Sequence, residues 1–413
     1  MLAQDVSTPQ HFLLHLFIQQ HYSYFAHIII LLGDRDMKYY LIAGEASGDL
    51  HGSNLIMELK KLDAGGDMRC WGGDLMQQAG AVLVKHYKDH AFMGFAEVLM
   101  NLRTIIDNLK LCKEDIQQFQ PDVLVLINYS GFNLRIAEWA KQQGFKIVFY
   151  ISPQVWAWKE GRVKKMMQNI DKMLVVLPFE KDYYKNKWNW DVEYVGHPLV
   201  QVIENYKAKH AQPSTFNLRL PTSNIVALLP GSRKQEILKK LPIMLEVSRS
   251  FSQYQFVVAK APAQEDDFYE EMLKSYANVS SSRETYNLLL RAKAALVTSG
   301  TATLETALFG VPEVVCYKGS NISYQIAKRL IRVKYISLVN LIMNKLVVKE
   351  LIQNDLTVKN LMQELFSILT DEKRIAEIKN DYAALKKLLS EGGNASAKAA
   401  KSIYILLAKE WIA

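Results

Sequence analysis

Cysteine is scarce in this chain and scattered where it occurs. Cys70, Cys112 and Cys316 show no paired spacing, which excludes a zinc-binding framework and a disulfide scaffold and fits a reducing cytoplasm. The nine histidines form no ligand pattern with acidic neighbours, so no metal site is expected. Long hydrophobic runs are missing too. The longest near the N-terminus, IIILL at 28–32, is far short of the roughly 20 residues that cross a bilayer. No small-residue cleavage site comes after it, which argues against a signal peptide. A lysine-bearing phosphate loop is absent, which disfavours ATP hydrolysis, and so is a G-x-G-x-x-G fingerprint. No basic stripe interleaved with aromatics occurs, so nucleic acid is not an expected partner.

What is present is a folded α/β chain of 413 residues, long enough for two domains, with 49% apolar and 22% charged residues. Lysine and arginine exceed aspartate and glutamate by 50 − 42 = +8, and the isoelectric point is near 9.0. Such an excess suits an anionic partner, although a solvated basic surface would read the same way. The first 36 residues, with His11, His15, His21 and His27, differ from everything downstream. From Met37 the sequence MKYYLIAGEASGD starts abruptly as a strand and loop. Residues 1–36 are therefore expected to be an extension from a misassigned start, an amphipathic appendage being the competing reading.

Short apolar runs alternate with helix-length segments, the mark of βαβ units. Strands are expected at 39–43, 123–127, 147–151, 173–177, 225–229, 256–259, 294–297 and 313–317. Helices are expected at 53–62, 97–119, 132–142 and 234–251. The polar, proline-bearing stretch 198–223 reads as a crossing between domains at about 37–200 and 220–385, followed by C-terminal helices at 386–413. The fold class is α/β, with two Rossmann-like doubly wound domains facing a central cleft, where ligands bind at the carboxyl ends of the strands.

Three loops carry chemistry. VTSGTATLETALFGVPEVV, 297–315, ends a strand in small hydroxyl residues and opens a helix. Main-chain N–H groups around Ser299, Gly300, Thr301, Ala302 and Thr303 suit a diphosphate, and Glu305 suits a ribose. A helix start capped by its own hydroxyls is the plainer alternative. LLPGSRKQEI, 228–237, turns at Gly231 and Ser232 and puts the planar cation of Arg233 at a helix start, as a phosphate clamp or simply a solvated arginine beside an N-cap. AGEASGDLHGSNL, 43–55, spaces Gly44, Gly48 and Gly52 like a loose phosphate cradle around Ser47. Its acids, Glu45 and Asp49, would repel phosphate at the loop mouth and suit hydroxyls, or Asp49 would cap a helix.

Together GEASGD, SPQVWAWKEGRV, LPFEK, GHPL, LLPGSR, SGTATLE and YISLVNLI resemble the lipid-A-disaccharide synthase family, over nearly everything from Met37 to about Leu388. The resemblance implies a two-domain, B-type, inverting glycosyltransferase that needs no metal or other cofactor. It would join UDP-2,3-diacylglucosamine to 2,3-diacylglucosamine 1-phosphate, releasing UDP and the β-1,6 disaccharide 1-phosphate. By similarity Arg233 faces the phosphates, Glu305 the ribose, and Asn340 lines the same cleft. LVLINYSGFNL, 124–134, departs from the family, which has aspartate where this chain has Asn128 and a second acid where it has Gly131. A neutral amide cannot act as general base. Glu97, Glu45 or Asp49 then takes that role, Glu97 being favoured because the resemblance places it near the acceptor, or turnover is slow or absent. Trp156 and Trp158 read as sugar platforms or as core aromatics, and Asn133 as a helix cap.

Both substrates carry acyl chains, so contact with the inner-membrane surface from the cytoplasm is expected. Val98, Leu99, Leu102, Ile105, Ile106 and Leu109 share one helical face, opposite Asn101, Thr104, Asp107 and Asn108. That face either dips into the interface or packs in the core. Self-association as a homodimer is left open. A UDP-sugar epimerase of the same architecture, or a non-catalytic relative that has lost its base at position 128, are the competing functions.

Overall fold

The computed structural model describes residues 36–89, 102–210, 224–262, 264–319, 324 and 333–410. Two sheets organise them. In the first, β1 (Lys38–Ala43), β2 (Asp67–Gly72), β3 (Val82–His86), β4 (Val123–Ile127), β5 (Ile147–Tyr150), β6 (Lys172–Val175) and β7 (Glu193–Tyr194) lie in the order β3-β2-β1-β4-β5-β6-β7. In the second, β8 (Ile225–Leu229), β9 (Gln255–Ala259), β10 (Val279–Ser282), β11 (Ala292–Thr298), β12 (Glu313–Tyr317) and β13 (Lys349–Ile352) lie in the order β10-β9-β8-β11-β12-β13. β1 pairs parallel with β2 on one side and β4 on the other. β8 does the same with β9 and β11. Strand order thus reverses at β1/β4 and at β8/β11, the switch points of two Rossmann-like sheets.

The central strands read as unbroken aliphatic runs because helices cover both faces of a parallel sheet. VLVLI of β4 is buried at every position, each such side chain contributing about 1.5–3 kcal/mol. The edge strands are different. β10 is VSSS and only partly buried, and β3, β7 and β13 mix charges with apolar residues. The helix expected from 53 begins earlier, spanning Ala46–Leu62. Ser47, Gly48 and Asp49 therefore sit in its first turn rather than in a loop.

Chain contacts divide the molecule into two compact units. One holds the described residues up to Pro153, together with Lys164–Leu174 and Ser396 onward; the other holds Gln154–Val163 and Val175–Ala395. The linear boundaries expected at 200, 220 and 385 give way to this interleaved division. The last helix, Ala395–Glu410, falls with the first unit from Ser396 onward, where Ser396 lies against the hydroxyl of buried Tyr150.

Candidate functional site

In the second unit the turn after β8 and the loop after β11 leave adjacent parallel strands at their carboxyl ends and line one cavity of about 390 Å³. Gly231, Ser232 and Arg233 form one wall, and Ser299, Gly300, Thr301, Ala302 and Glu305 the other. Gly231 (φ +127°) and Gly300 (φ +145°) occupy backbone conformations that a side chain would strain. No side chain caps the helix Thr301–Phe309. The Thr303 hydroxyl donates back to the Gly300 carbonyl at 2.9 Å, and that of Thr306 to Ala302 at 2.8 Å. The hydroxyls thus leave the helix start open, as an anion site requires.

Arg233 is the N-cap residue of the helix Lys234–Ser248. Its guanidinium donates to Glu236 Oε1 at 3.1 Å while its side chain remains 55% exposed. Glu305 is half-buried and accepts the Tyr286 hydroxyl at 3.3 Å. Burial raises its pKa, partly offset by that hydrogen bond. Glu236, Lys260, Thr285 and Thr298 also line the cavity and were missed from sequence. Lys260, the residue just past β9, could have been found by inspecting the position after each strand of a parallel sheet, where ligands gather.

Thr303 and Asn340 do not line this cavity. Thr303 is fully buried. Asn340 is fully buried as well, and its carboxamide is occupied by backbone and carboxylate. Nδ2 donates to the Val348 carbonyl at 2.8 Å and to Glu350 at 2.9 Å, and Oδ1 accepts the N–H groups of Val347 and Val348. Glu350 in turn holds the N–H groups of Ile336 and Ser337. The Ile336 carbonyl receives the Ser299 hydroxyl at 2.8 Å. Asn340 thus braces the loop that orients Ser299.

The first unit builds a different site at its own switch point. Asn128 and Tyr129, just past β4, both adopt left-handed backbone, φ 48° and 44°, an uncommon conformation for tyrosine that stores local strain. Asn128 Nδ2 donates to Glu45 Oε1 at 2.7 Å, and the Ser47 hydroxyl donates to the same oxygen at 2.7 Å. Burial and the nearby Glu45 carboxylate push the Tyr129 phenol up to about 12. A Cβ on Gly44 would lie 2.3 Å from the Tyr129 ring, and one on Gly52 2.6 Å from Met76 Sδ. These glycines serve close packing instead of a phosphate cradle. Gly44, Ser47 and Gly48 are absent from the lining of the second unit's cavity.

Asp49 is turned away from any loop mouth. It is 3% exposed and caps a neighbouring helix, Asp74–Gln78. Its carboxylate accepts the N–H groups of Gly73 (2.8 Å), Met76 (3.0 Å) and Leu75 (3.1 Å), which leaves it unsuited to a base. Asn133 is not a cap but a buried tie inside the helix Ser130–Gln142. Its Nδ2 reaches the carbonyls of Ile42, Ile127 and Asn128 and so joins the ends of β1 and β4. Glu97, Val98 and Leu99 lie outside the described residues, as does the side chain of Leu102. On the helix Leu102–Phe119, Asn108, Cys112 and Ile116 face the core, Ile105 is half-buried and Ile106 is 57% exposed. Asn108 therefore belongs to the inner face. Trp156 is anchored to buried Glu180 at 3.2 Å and packs edge-on to Phe179, whereas Trp158 is 46% exposed with Lys159 over its ring.

The lipid-A-disaccharide synthetase family model matches residues 39–404. The chain is 37% identical to the lipid-A-disaccharide synthase of Syntrophus aciditrophicus, over 89% of this chain and 97% of that protein. It is 36% identical to that of Coxiella burnetii, over 89% and 98%. Among solved structures, the glycotransferase of kitacinnamycin superposes with a TM-score of 0.61 at 14% identity, covering 89% of this chain and 98% of that one. The UDP-GlcNAc 2-epimerase of Neisseria meningitidis superposes with a TM-score of 0.61 at 13% identity, covering 89% and 99%. These two likenesses speak for the two-domain fold alone. The uncapped helix start beside Arg233, the clustered motifs and these matches lead to one conclusion: the chain belongs to the lipid-A-disaccharide synthase family of glycosyltransferases.

Proposed function

We propose that the protein transfers 2,3-diacylglucosamine from UDP-2,3-diacylglucosamine to the 6-hydroxyl of 2,3-diacylglucosamine 1-phosphate with inversion. The observation that carries this reading is the cavity shared by Gly231–Arg233 and the uncapped helix start at Thr301. UDP would lie there with its diphosphate on the main-chain N–H groups and Arg233 and its ribose on Glu305. As the bond from the anomeric carbon to the β-phosphate oxygen breaks, its electron pair leaves with UDP. The helix start and the guanidinium hold the developing charge.

The attacking hydroxyl must lose a proton as the new glycosidic bond forms. We assign that proton to Glu45. Its carboxylate is oriented by Ser47 and Asn128 through 2.7 Å hydrogen bonds, while Asp49 is committed to its helix cap. Asn128 acts here as a positioning residue. Membrane contact would come from the start of the helix Leu102–Phe119, where Ile106 is exposed. Among the described residues no helix is long and apolar enough to span a bilayer.

Incubation with both diacyl substrates tests the reading. Release of UDP with disaccharide formation is expected. Epimerisation of the donor would point to the epimerase alternative, and binding without turnover to a non-catalytic relative.

A further inference from the structure

Glu305 brings a carboxylate to the cavity wall with one hydrogen-bonded side chain among the described residues, Tyr286, whose hydroxyl donates to Oε1 at 3.3 Å. A carboxylate offers about four acceptor positions on its two oxygens, so most of them are left for donors arriving in the cavity. Burial raises the Glu305 pKa against the pull of that hydrogen bond, and a desolvated carboxylate is costly until such donors arrive. Tyr286 lies in the first turn of the helix Thr285–Arg291, beside Thr285 of the cavity wall. Its ring packs on Phe309 at 5.2 Å between centroids and meets Tyr206, on the helix Pro198–His210, edge-on at 5.2 Å. Tyr206 also meets Phe309 edge-on, at 6.2 Å. Glu305 and Phe309 stand one turn apart on the helix Thr301–Phe309, hence on one face. Tyr286 therefore touches that face twice, by its ring at Phe309 and by its hydroxyl at Glu305. Phenylalanine would serve the ring packing equally well; the hydroxyl adds the contact with the carboxylate. Burial and the Glu305 charge raise the pKa of the phenol, so it stays protonated as a donor.

We propose that Tyr286 is a positioning residue that fixes one oxygen of Glu305 and thereby turns the other toward the ribose hydroxyls of a nucleotide in the cavity. The inference rests on the proposed placement of the ribose at Glu305 and adds how the carboxylate is held there. With Tyr286 in place the Glu305 side chain is already ordered when the sugar arrives, so its hydrogen bonds form at low entropic cost. Without the phenol hydroxyl the carboxylate samples other rotamers, and part of the preference for a hydroxylated sugar is lost. Tyr206 and Phe309 act one step further out, as the ring wall that keeps Tyr286 in place.

Titration calorimetry of UDP and of 2′,3′-dideoxy-UDP into the full chain tests this, comparing wild type with Tyr286→Phe, a change that keeps the ring packing. Wild type is expected to favour UDP. Tyr286→Phe should weaken UDP about tenfold and bind the dideoxy analogue as wild type does. Glu305→Ala completes a double-mutant cycle: in that background Tyr286→Phe should leave the ratio of the two affinities unchanged. A ratio that still moves there shows that Tyr286 does not act through Glu305, and overturns the proposal. A role in packing alone would weaken both nucleotides alike or leave both unchanged in Tyr286→Phe. Either result overturns the proposal while the ribose placement stands. If wild type binds both nucleotides equally, or neither, the ribose placement itself falls and the proposal with it.

Discussion

The segments 44–49 and 299–305 share small residues, glycine and one or two acids, yet they serve opposite purposes. In the second, Gly300 takes a conformation that opens the helix start, and the hydroxyls of Thr303 and Thr306 bond backward along the chain. No side chain caps this helix start, although the Thr303 N–H itself donates to the Gly300 carbonyl at 3.2 Å. In the first, the acid at the N-cap position, Glu45, occupies the positive end of the helix itself. Gly44 makes room for Tyr129 and Gly52 for Met76. Glycine spacing therefore does not distinguish a phosphate cradle from a tight packing joint. The position of the carboxylate does.

That contrast can be broken first at Glu45. Glu45→Gln is expected to lower kcat by about 10²–10⁴-fold with little change in thermal stability. Retention of wild-type turnover would remove Glu45 from the mechanism. The companion Asn128→Asp places two carboxylates within hydrogen-bonding distance, where both cannot ionise together. Its rate profile should move to higher pH by a unit or more. A large rate gain at neutral pH would instead make position 128 the seat of the base.

Asp49 sharpens the comparison from the structural side. Asp49→Ala leaves three N–H groups without their acceptor and should cost on the order of 3 kcal/mol in denaturant unfolding. In the milder Asp49→Asn, turnover per folded molecule should stay within a few fold of wild type. A rate loss in fully folded protein would show that Asp49 takes part in the chemistry.

A further expected effect is one of pH. His51, buried behind the same segment, has its pKa lowered to about 4 by burial, and its Nδ1 has no partner. The neutral ring is favoured in the fold, so its contribution is complete above about pH 6.5 and is lost as pH falls toward 4. The loss amounts to about 3 kcal/mol at most. His51→Leu should flatten stability across that window relative to wild type; an unchanged slope would mean that His51 is not the group titrating.

Much of this was legible in the chain. The runs at 123–127, 225–229 and 313–317 became β4, β8 and β12 at the expected bounds, because buried parallel strands are apolar without alternation. β10, with VSSS, and β3, with VLVKH, lacked that signal, since edge strands need only one neighbour and half a core. The walls of the cavity after β8 and β11 were readable from hydroxyl residues and arginine at helix starts. Asn340 was not, because a carboxamide suits a ligand and a buried loop brace equally well. Nor could sequence pair Glu45 with Asn128, 83 positions apart; only the adjacency of β1 and β4 brings them together.

The most direct test is titration calorimetry of UDP into the purified protein in EDTA, alongside Arg233→Ala. The account predicts one-site uptake without any divalent ion, weakened roughly tenfold in the variant. Heat-silent titration of wild-type protein, or uptake indifferent to Arg233, would contradict it.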